Sequence, residues 1–102
     1  MSSYIKIIYD KLDFLQFKQN ILFHKLPQHK VDIFLNMTID EFITIRDFTL
    51  EFEENTSSDN FNLNFYENEV KRLWPTSKSF PLSSYLIAKS LLNQNTYNKL
   101  IT

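Results

Sequence analysis

The sequence contains no glycine and no cysteine among its 102 residues. Without glycine it lacks the tight phosphate-binding loop of nucleotide-binding proteins and the strained turn that exposes a catalytic serine, because both need backbone conformations that glycine adopts most readily. Without cysteine there are no disulfides, thiolate metal sites or cysteine nucleophiles, which agrees with a reducing compartment. We therefore expect a cytoplasmic protein.

Long apolar runs are also absent from the sequence. Near the N-terminus, Asp10, Lys11 and Asp13 interrupt the apolar residues before a signal-peptide core of roughly 7–15 residues can form. Nowhere does the chain approach the roughly 20 consecutive apolar residues that span a bilayer. The sequence predicts no interaction with a membrane.

Hydrophobic residues, by contrast, make up 43% of the chain, and ten residues are phenylalanine. Disordered segments carry far fewer aromatic residues, so this composition indicates a folded protein. A chain of 102 residues fits a single domain, because domains run from roughly 50 to 250 residues. We expect one domain over residues 1–102, built around one core.

The net charge of −1 conceals a strong segregation of charge along the chain. Ten of the twelve acidic residues lie between residues 32 and 69, where Arg46 is the only base. The first 31 residues carry five lysines against two acids, and residues 70–102 carry five bases and no acid. This pattern predicts an acidic middle flanked by basic helices.

Residues 3–26 have the periodicity of one long amphipathic helix. Its apolar positions recur at spacings of three and four residues, and only Gln19 interrupts the stripe. The stripe consists of Ile5, Ile8, Leu12, Leu15, Leu22 and Leu26. So broad an apolar face favours packing of the helix on a sheet, and a coiled-coil homodimer through this first helix is the alternative.

Alternating apolar and polar residues then predict an antiparallel meander of two or three strands. Residues 31–37 and 43–53 show the alternation typical of strands, with a bulge near Arg46 where the alternation shifts by one residue. Residues 60–66 continue the pattern after the turn-forming segment ENTSSDN, which indicates a hairpin. Its apolar side chains would face the core and its acidic ones the solvent.

Two further helices complete the predicted fold. Residues 66–74 return to a helical period, and Pro81 fits the first position of a last helix that runs to residue 94. Packing all three helices on one face of the meander gives a two-layer α+β domain. An all-α bundle is the alternative, because Thr38 and Glu41 have the capping-box spacing that would start one helix over residues 39–53.

No motif in the sequence points to catalysis, a cofactor or a metal ion. His24 and His29 are the only histidines, and they are five positions apart with Pro27 between them, so they lack the one-turn spacing of two metal ligands on a helix. The clustered carboxylates lie on the polar side of the predicted hairpin, away from any pocket. We expect a protein that is not an enzyme and that binds no cofactor and no metal.

A nucleic-acid interface would need a basic stripe with interleaved aromatic residues. Lys71, Arg72, Trp74 and Lys78 come nearest to this pattern, yet the net charge is negative and Trp74 has the position of a core residue beside Pro75. Direct binding of nucleic acid is therefore the less favoured hypothesis. In that alternative, the protein is a regulatory accessory that uses its basic C-terminal third.

The acidic face of the predicted hairpin is the strongest functional candidate. Clustered carboxylates steer a basic partner and replace the phosphates that its lysines and arginines would hold. The predicted partner-binding residues are Asp47, Glu51, Glu53, Glu54, Asp59, Asn62, Asn64 and Tyr66. We expect a non-catalytic inhibitor or immunity protein that occludes a basic protein such as a bacterial nuclease toxin. A phage-type antagonist of a host defence nuclease is the alternative.

Overall fold

The structure, a computed structural model, describes residues 2–102, and in this range the chain forms six α-helices and no strand. The helices are α1 (Ser2–Leu22), α2 (Gln28–Leu35), α3 (Ile39–Glu54), α4 (Leu63–Leu73), α5 (Ser83–Leu91) and α6 (Gln94–Ile101). A short 3₁₀ helix, Pro75–Ser79, joins α4 to α5. The predicted α+β fold with a meander is therefore wrong, and the all-helical alternative is correct.

Helix α3 replaces the predicted strand 43–53 because a capping box closes its first turn. The Thr38 hydroxyl accepts a hydrogen bond from the Glu41 N–H at 3.1 Å, and the Glu41 carboxylate accepts one from the Thr38 N–H at 2.8 Å. These bonds satisfy backbone donors that the helix cannot satisfy itself, so they fix where it begins. Arg46, where alternation suggests a bulge, is a regular residue of α3.

The buried side of α3 follows the helical period. Its buried residues are Phe42, Ile45, Arg46, Thr49 and Phe52, which share one side of a helix. Leu50, which strand alternation assigns to the core, is 46% exposed. Alternation through this segment therefore does not reflect a strand.

The predicted strand 31–37 falls largely within α2. Val31 and Phe34 are buried one turn apart, and Met37 is buried just beyond the end of the helix. Leu35, which alternation places on the core side with Val31, is exposed. The buried residues of this segment therefore recur every three positions, as in a helix, and not every two, as in a strand.

The predicted strand 60–66 is also wrong, because it spans the end of a loop and the first turn of α4. Asn62 is the N-cap of this helix, and its side-chain oxygen accepts a hydrogen bond from the Phe65 N–H at 2.8 Å. Tyr66 and Val70 then point into the core at a spacing of four residues. Residues 47–69 thus form two helices joined by a loop, and no hairpin.

The last helix, predicted to run from Pro81 to residue 94, is shorter in the structure, and a further helix follows it. Helix α5 begins at Ser83, two residues after Pro81, and ends at Leu91. The chain then turns, and the Asn93 side chain accepts a hydrogen bond from the Thr96 N–H at 2.8 Å, which caps α6. Asn93 thereby starts a separate helix, and almost all of α6 lies beyond residue 94, where the predicted helix ends.

Helix α1 ends at Leu22, four residues before the end that the sequence predicts. It packs on the rest of the domain through Phe14, Phe17 and Ile21, which are buried. The stripe from Ile5 to Leu22, which the sequence predicts to face the core, lies instead on the exposed side of the helix. The prediction that this stripe packs on a sheet is therefore wrong.

Aromatic rings fill the space between α1, α2, α3 and the 3₁₀ helix. The Phe34 ring lies 6.2 Å from Phe17, 5.5 Å from Trp74 and 6.0 Å from Phe80, measured between ring centroids. Phe17 in turn lies 5.3 Å from Phe42. Such pairs contribute about 0.5–1.5 kcal/mol each beyond the burial of apolar area. The burial of Trp74 beside Pro75 confirms its predicted role in the core.

Arg46 is nearly buried and joins α3 to α1. Its guanidinium donates to the Asp10 carboxylate at 2.7 Å and to Asp13 at 3.2 Å, both on α1, and also to its neighbour Asp47 at 3.0 Å. The hydrogen bond from Arg46 holds the pKa of Asp10 below its ordinary value of 3.8. A guanidinium in this position is tolerated because carboxylates surround it.

Helices α3 and α4 are joined by one buried hydrogen bond. The hydroxyl oxygens of Thr49 and Tyr66 lie 2.8 Å apart, and both residues are fully buried. Burial raises the pKa of Tyr66 well above its usual range, so the phenol is neutral at physiological pH. Each hydroxyl satisfies the other in a place that water does not reach.

We expect the stability contributed by the Asp10–Arg46 pair to be lost in acid. Because folding lowers the pKa of Asp10, this contribution is complete above pH 3.8 and disappears as the pH falls through the lower pKa of the folded state. Asp10→Asn should lower the melting temperature near neutral pH, and the difference from the parent should shrink below pH 3.8. A difference that does not change with pH would contradict this expectation. The exposed loop variant Asp59→Asn is the control.

We also expect the Thr49–Tyr66 bond to give a measurable coupling energy. Tyr66→Phe and Thr49→Val should each lower the free energy of unfolding by about 1–3 kcal/mol, because each leaves the hydroxyl of the other residue buried without a hydrogen-bond partner. The double variant should lose less than the sum of the two, by about 1 kcal/mol. Urea denaturation of the four proteins measures this cycle, and strict additivity would show that the hydroxyls do not interact.

Candidate functional site

The structure brings three of the predicted partner-binding residues together on α3. Asp47, Glu51 and Glu54 are exposed and follow each other at spacings of four and three residues, so they lie along one side of the helix. Asp40, in the first turn of α3, continues the same side. We call these four residues, Asp40, Asp47, Glu51 and Glu54, the acidic ridge.

Asp40 is the member of the acidic ridge that the sequence prediction misses. It lies outside the predicted hairpin, so the strand interpretation gives no reason to group it with Asp47. A helical period through residues 39–54, starting from the Thr38 cap, would have found it. The signal was therefore present in the sequence, in the spacing of acids at three and four residues.

Three other predicted partner-binding residues have structural roles instead. The Glu53 carboxylate accepts a hydrogen bond from the Asn93 N–H at 2.9 Å, at the start of α6. Asn62 caps α4, and Tyr66 is buried against Thr49. Their assignment to an outward-facing strand is wrong, because the strand does not exist and these side chains are used within the domain.

Asp59 and Asn64, the remaining two predicted residues, are exposed. Asp59 lies in the loop between α3 and α4, and its carbonyl accepts a hydrogen bond from the Asn62 side chain at 3.1 Å. Asn64 lies in the first turn of α4. Both are accessible to a partner, and Asp59 adds a carboxylate to the loop that follows α3.

A pocket of about 420 Å³ opens next to the acidic ridge, between α3, the loop and α4. Its aromatic lining consists of Phe48, Phe52, Phe61 and Phe65. We call this cavity the aromatic pocket. Its volume falls within the range of small-molecule and side-chain binding sites, which is roughly 300–1,000 Å³. The sequence does not predict this pocket, because the strand interpretation places all four rings on the core face of the hairpin.

The rings of the aromatic pocket support one another. Phe52 stacks on Phe61 with their centroids 4.8 Å apart and 21° between their planes, and Phe65 lies 6.3 Å from Phe52. Phe48 lies 5.9 Å from Phe52 and 6.5 Å from Phe65, so the three rings form one cluster. Only Phe52 is buried, so the other three rings present part of their surface to the cavity.

Polar groups surround the mouth of the aromatic pocket. Glu51 of the acidic ridge is one of them, and Glu69 and Arg72 of α4 face it. The Arg72 guanidinium donates to both carboxylate oxygens of Glu69, at 3.1 and 2.9 Å. This hydrogen bonding lowers the pKa of Glu69 and raises that of Arg72.

The charge of Arg72 is thus balanced within the mouth. Among the residues that the structure describes, Glu51 forms no ion pair, so its charge faces the cavity without a counterion from the chain. The three charged residues that line the pocket, Glu51, Glu69 and Arg72, therefore sum to a single negative charge. An aromatic lining below a carboxylate suits a cation with an apolar stem, which is the chemistry of a lysine or arginine side chain.

One ring of the pocket already contacts a cation of the same chain. The Lys99 ammonium lies 5.5 Å from the centroid of the Phe61 ring and donates a hydrogen bond to the Thr56 carbonyl at 3.1 Å. This contact connects α6 to the loop that forms the pocket wall. It is consistent with the cation-binding chemistry of the pocket, because it uses one of the same rings.

Two other kinds of site are not found in the part of the chain that the structure describes. No group of three or more histidine or acidic side chains lies close enough to hold a metal ion. Within residues 2–102, no helix has both the length and the apolar composition needed to cross a bilayer.

Comparison of the chain with protein-family models, with curated proteins and with solved structures found no match. Its function therefore has to be inferred from the chemistry of its own surface.

We expect Glu53 to contribute to stability, and Glu51 and Glu54 to contribute little. Glu53→Ala should lower the free energy of unfolding by about 0.5–1.5 kcal/mol, because it removes the acceptor for the Asn93 N–H. Glu51→Ala and Glu54→Ala should each stay within about 0.5 kcal/mol of the parent, because both side chains are exposed. Urea denaturation followed by circular dichroism measures all three, and equal losses would contradict the assignment.

Proposed function

We propose that the protein is a non-catalytic binding protein that docks a basic protein partner on the face formed by the acidic ridge and the aromatic pocket. The observation that carries the proposal is their adjacency, since Glu51 belongs to both. Charge alone is common on protein surfaces and is often only solvated. A cavity lined by phenylalanine rings and bordered by that charge offers a specific place for a cationic side chain.

The pocket would supply the specific contact. A lysine or arginine that enters the pocket would bury its methylene groups against the phenylalanine rings that line it and hold its charge near Glu51. Cation–π contacts contribute from about 0.5 kcal/mol at exposed sites to about 2 kcal/mol where water is excluded. A few such buried anchors account for most of the binding energy in protein interfaces.

The acidic ridge would supply attraction at a distance. Carboxylates on successive turns of a helix lie roughly 5–6 Å apart, so the field of α3 presents one sign of charge along its exposed side. Such a surface raises the rate at which a basic partner associates, and this effect weakens as salt is added. The ridge therefore guides the partner while the pocket holds it.

A basic enzyme that acts on nucleic acid is the partner class that this chemistry fits best. Its active site holds phosphates with lysine and arginine, and carboxylates spaced along a helix substitute for those phosphates. Bound there, the protein would act by occlusion, as an inhibitor or immunity protein of a nuclease toxin in the cytoplasm. A phage-type antagonist of a defence nuclease would use the same face, and only the target differs.

An octa-arginine peptide is a suitable first probe of this face. We expect amide resonances of α3 and of the loop near Phe61 to shift on titration, and the affinity to fall as salt is raised. Glu51→Lys combined with Glu54→Lys should weaken binding at least about tenfold, because it reverses two charges of the ridge, one of which lines the pocket. Nuclear magnetic resonance titration and isothermal calorimetry measure these effects.

The matched control reverses two acids elsewhere, in the double variant Asp32→Lys and Glu67→Lys, with the same change in net charge. It should bind the peptide much more tightly than the double variant of the ridge. Equal weakening in both would mean that only net charge matters, and the proposed site would be wrong. Phe61→Leu keeps the apolar bulk but removes the ring, and an unchanged affinity would exclude the aromatic contact.

A further inference from the structure

Helix α1 carries a second apolar face that the domain does not cover. It consists of Ile5, Ile8, Leu12, Leu15, Gln19 and Leu22, and we call it the heptad seam. Its five apolar side chains are 40–57% exposed. A continuous apolar strip along a 21-residue helix is more than the scattered apolar residues of an ordinary surface, and such strips mark interaction sites.

The heptad seam lies on the side of α1 that faces away from the domain. Its residues occupy the a and d positions of a heptad, because their spacings alternate between three and four. The buried residues Phe14, Phe17 and Ile21 fall on the c and f positions of the same heptads, across the helix axis. A partner can therefore cover the seam without any rearrangement of the core.

The period of the seam indicates that its partner is another helix. Apolar residues that repeat every 3.5 positions keep a straight line of contact only when two helices wind around each other. Helix α1 contains the a and d positions of three successive heptads, from Ile5 to Leu22. The seam is also preformed, because packing of Phe17 and Ile21 holds α1 helical before any partner binds, which lowers the entropic cost of association.

We infer that the seam binds the same seam of a second copy, and that two α1 helices form a parallel coiled coil. Gln19 is the one polar residue of the seam, at an a position. In a parallel pair, a positions face each other, so Gln19 meets Gln19 of the second copy and the two amides can bond. In an antiparallel pair centred on the seam, Gln19 would lie against Ile8 and bury its amide without a partner.

The residues that flank the seam favour the same arrangement. The g positions hold Lys11 and Lys18, and the positions that meet them in a parallel pair hold Gln16 and, one residue beyond the end of α1, Phe23. Parallel helices thus place each lysine against an uncharged side chain. Antiparallel helices pair g positions with each other, so Lys11 would face Lys18 of the second copy and the two charges would repel.

Sedimentation equilibrium of the full chain is the first test. We expect a reversible dimer with twice the 12.3 kDa mass of one chain. Leu15→Glu should raise the dissociation constant at least about a hundredfold, because it brings two carboxylates together inside the seam. The matched control is Leu82→Glu, since Leu82 is 56% exposed against 57% for Leu15 and lies outside α1. It should leave the dimer intact.

Crosslinking tests the orientation. The chain has no cysteine, so one introduced by Gln19→Cys is its only thiol. Parallel a positions bring the two Cα atoms within the roughly 4.4–6.8 Å that a disulfide needs, so mild oxidation should crosslink the dimer. Ile7→Cys, on the opposite side of α1, should not crosslink. A dimer that crosslinks only when Ile8→Cys and Gln19→Cys variants are mixed would be antiparallel and would overturn the proposed arrangement.

Two further outcomes would overturn the inference as a whole. One is a chain that stays monomeric up to several hundred micromolar, roughly the limit of a meaningful association. The other is a monomer that binds vesicles of anionic phosphatidylglycerol, which would assign the seam and its lysines to a lipid surface. Octa-arginine binding should not change in Leu15→Glu, so failure of the dimer and failure of the acidic face are distinguishable.

Discussion

The hydrogen-bonded ion pair between Arg46 and Asp10 sets the arrangement on which the two surfaces depend. A nearly buried guanidinium requires a carboxylate partner. Asp10, which lies on α1 and 36 residues away in the sequence, accepts a hydrogen bond of 2.7 Å from Arg46. That contact fixes how α1 is rotated on α3. Phe14 and Phe17 consequently face the aromatic core, and the heptad seam faces outward. The same rotation of α3 turns Thr49 and Phe52 inward and leaves the acidic ridge exposed.

Both functional proposals use faces of helices whose other faces form the core. Helix α3 buries Thr49 against Tyr66 while it presents Glu51 and Glu54 to solvent, and α1 buries Ile21 while it presents Leu15. Because the core already holds each helix in place, a partner would meet a rigid surface and little further ordering would be needed. The phenylalanine-rich composition serves twice, since rings such as Phe34 fill the interior and rings such as Phe61 line the pocket.

The sequence-based prediction failed at a specific ambiguity of period. Phe48 and Phe52 are four residues apart, as are Phe61 and Phe65, so each pair shares a face both in a strand and in a helix. The middle residue of the first pair, Leu50, distinguishes a strand from a helix, because it shares the face of Phe48 and Phe52 only in a strand. Its exposure in the structure depends on tertiary packing. The capping box at Thr38 was the better local evidence. For the site, exposed acids such as Glu51 were predictable from charge, whereas the role of Glu53 depends on Asn93, forty residues away.

The sequence by itself determined that the chain folds, that its acids cluster between residues 32 and 69, and that its first segment is an amphipathic helix. Tertiary structure alone decided which side of that helix is buried. Both sides carry residues at spacings of three and four, Asp10, Phe14, Phe17 and Ile21 on one and the heptad seam on the other, so local periodicity cannot choose between them. The choice follows from distant contacts, because only the first side pairs with Arg46 and stacks Phe14 on Phe42 at 5.1 Å.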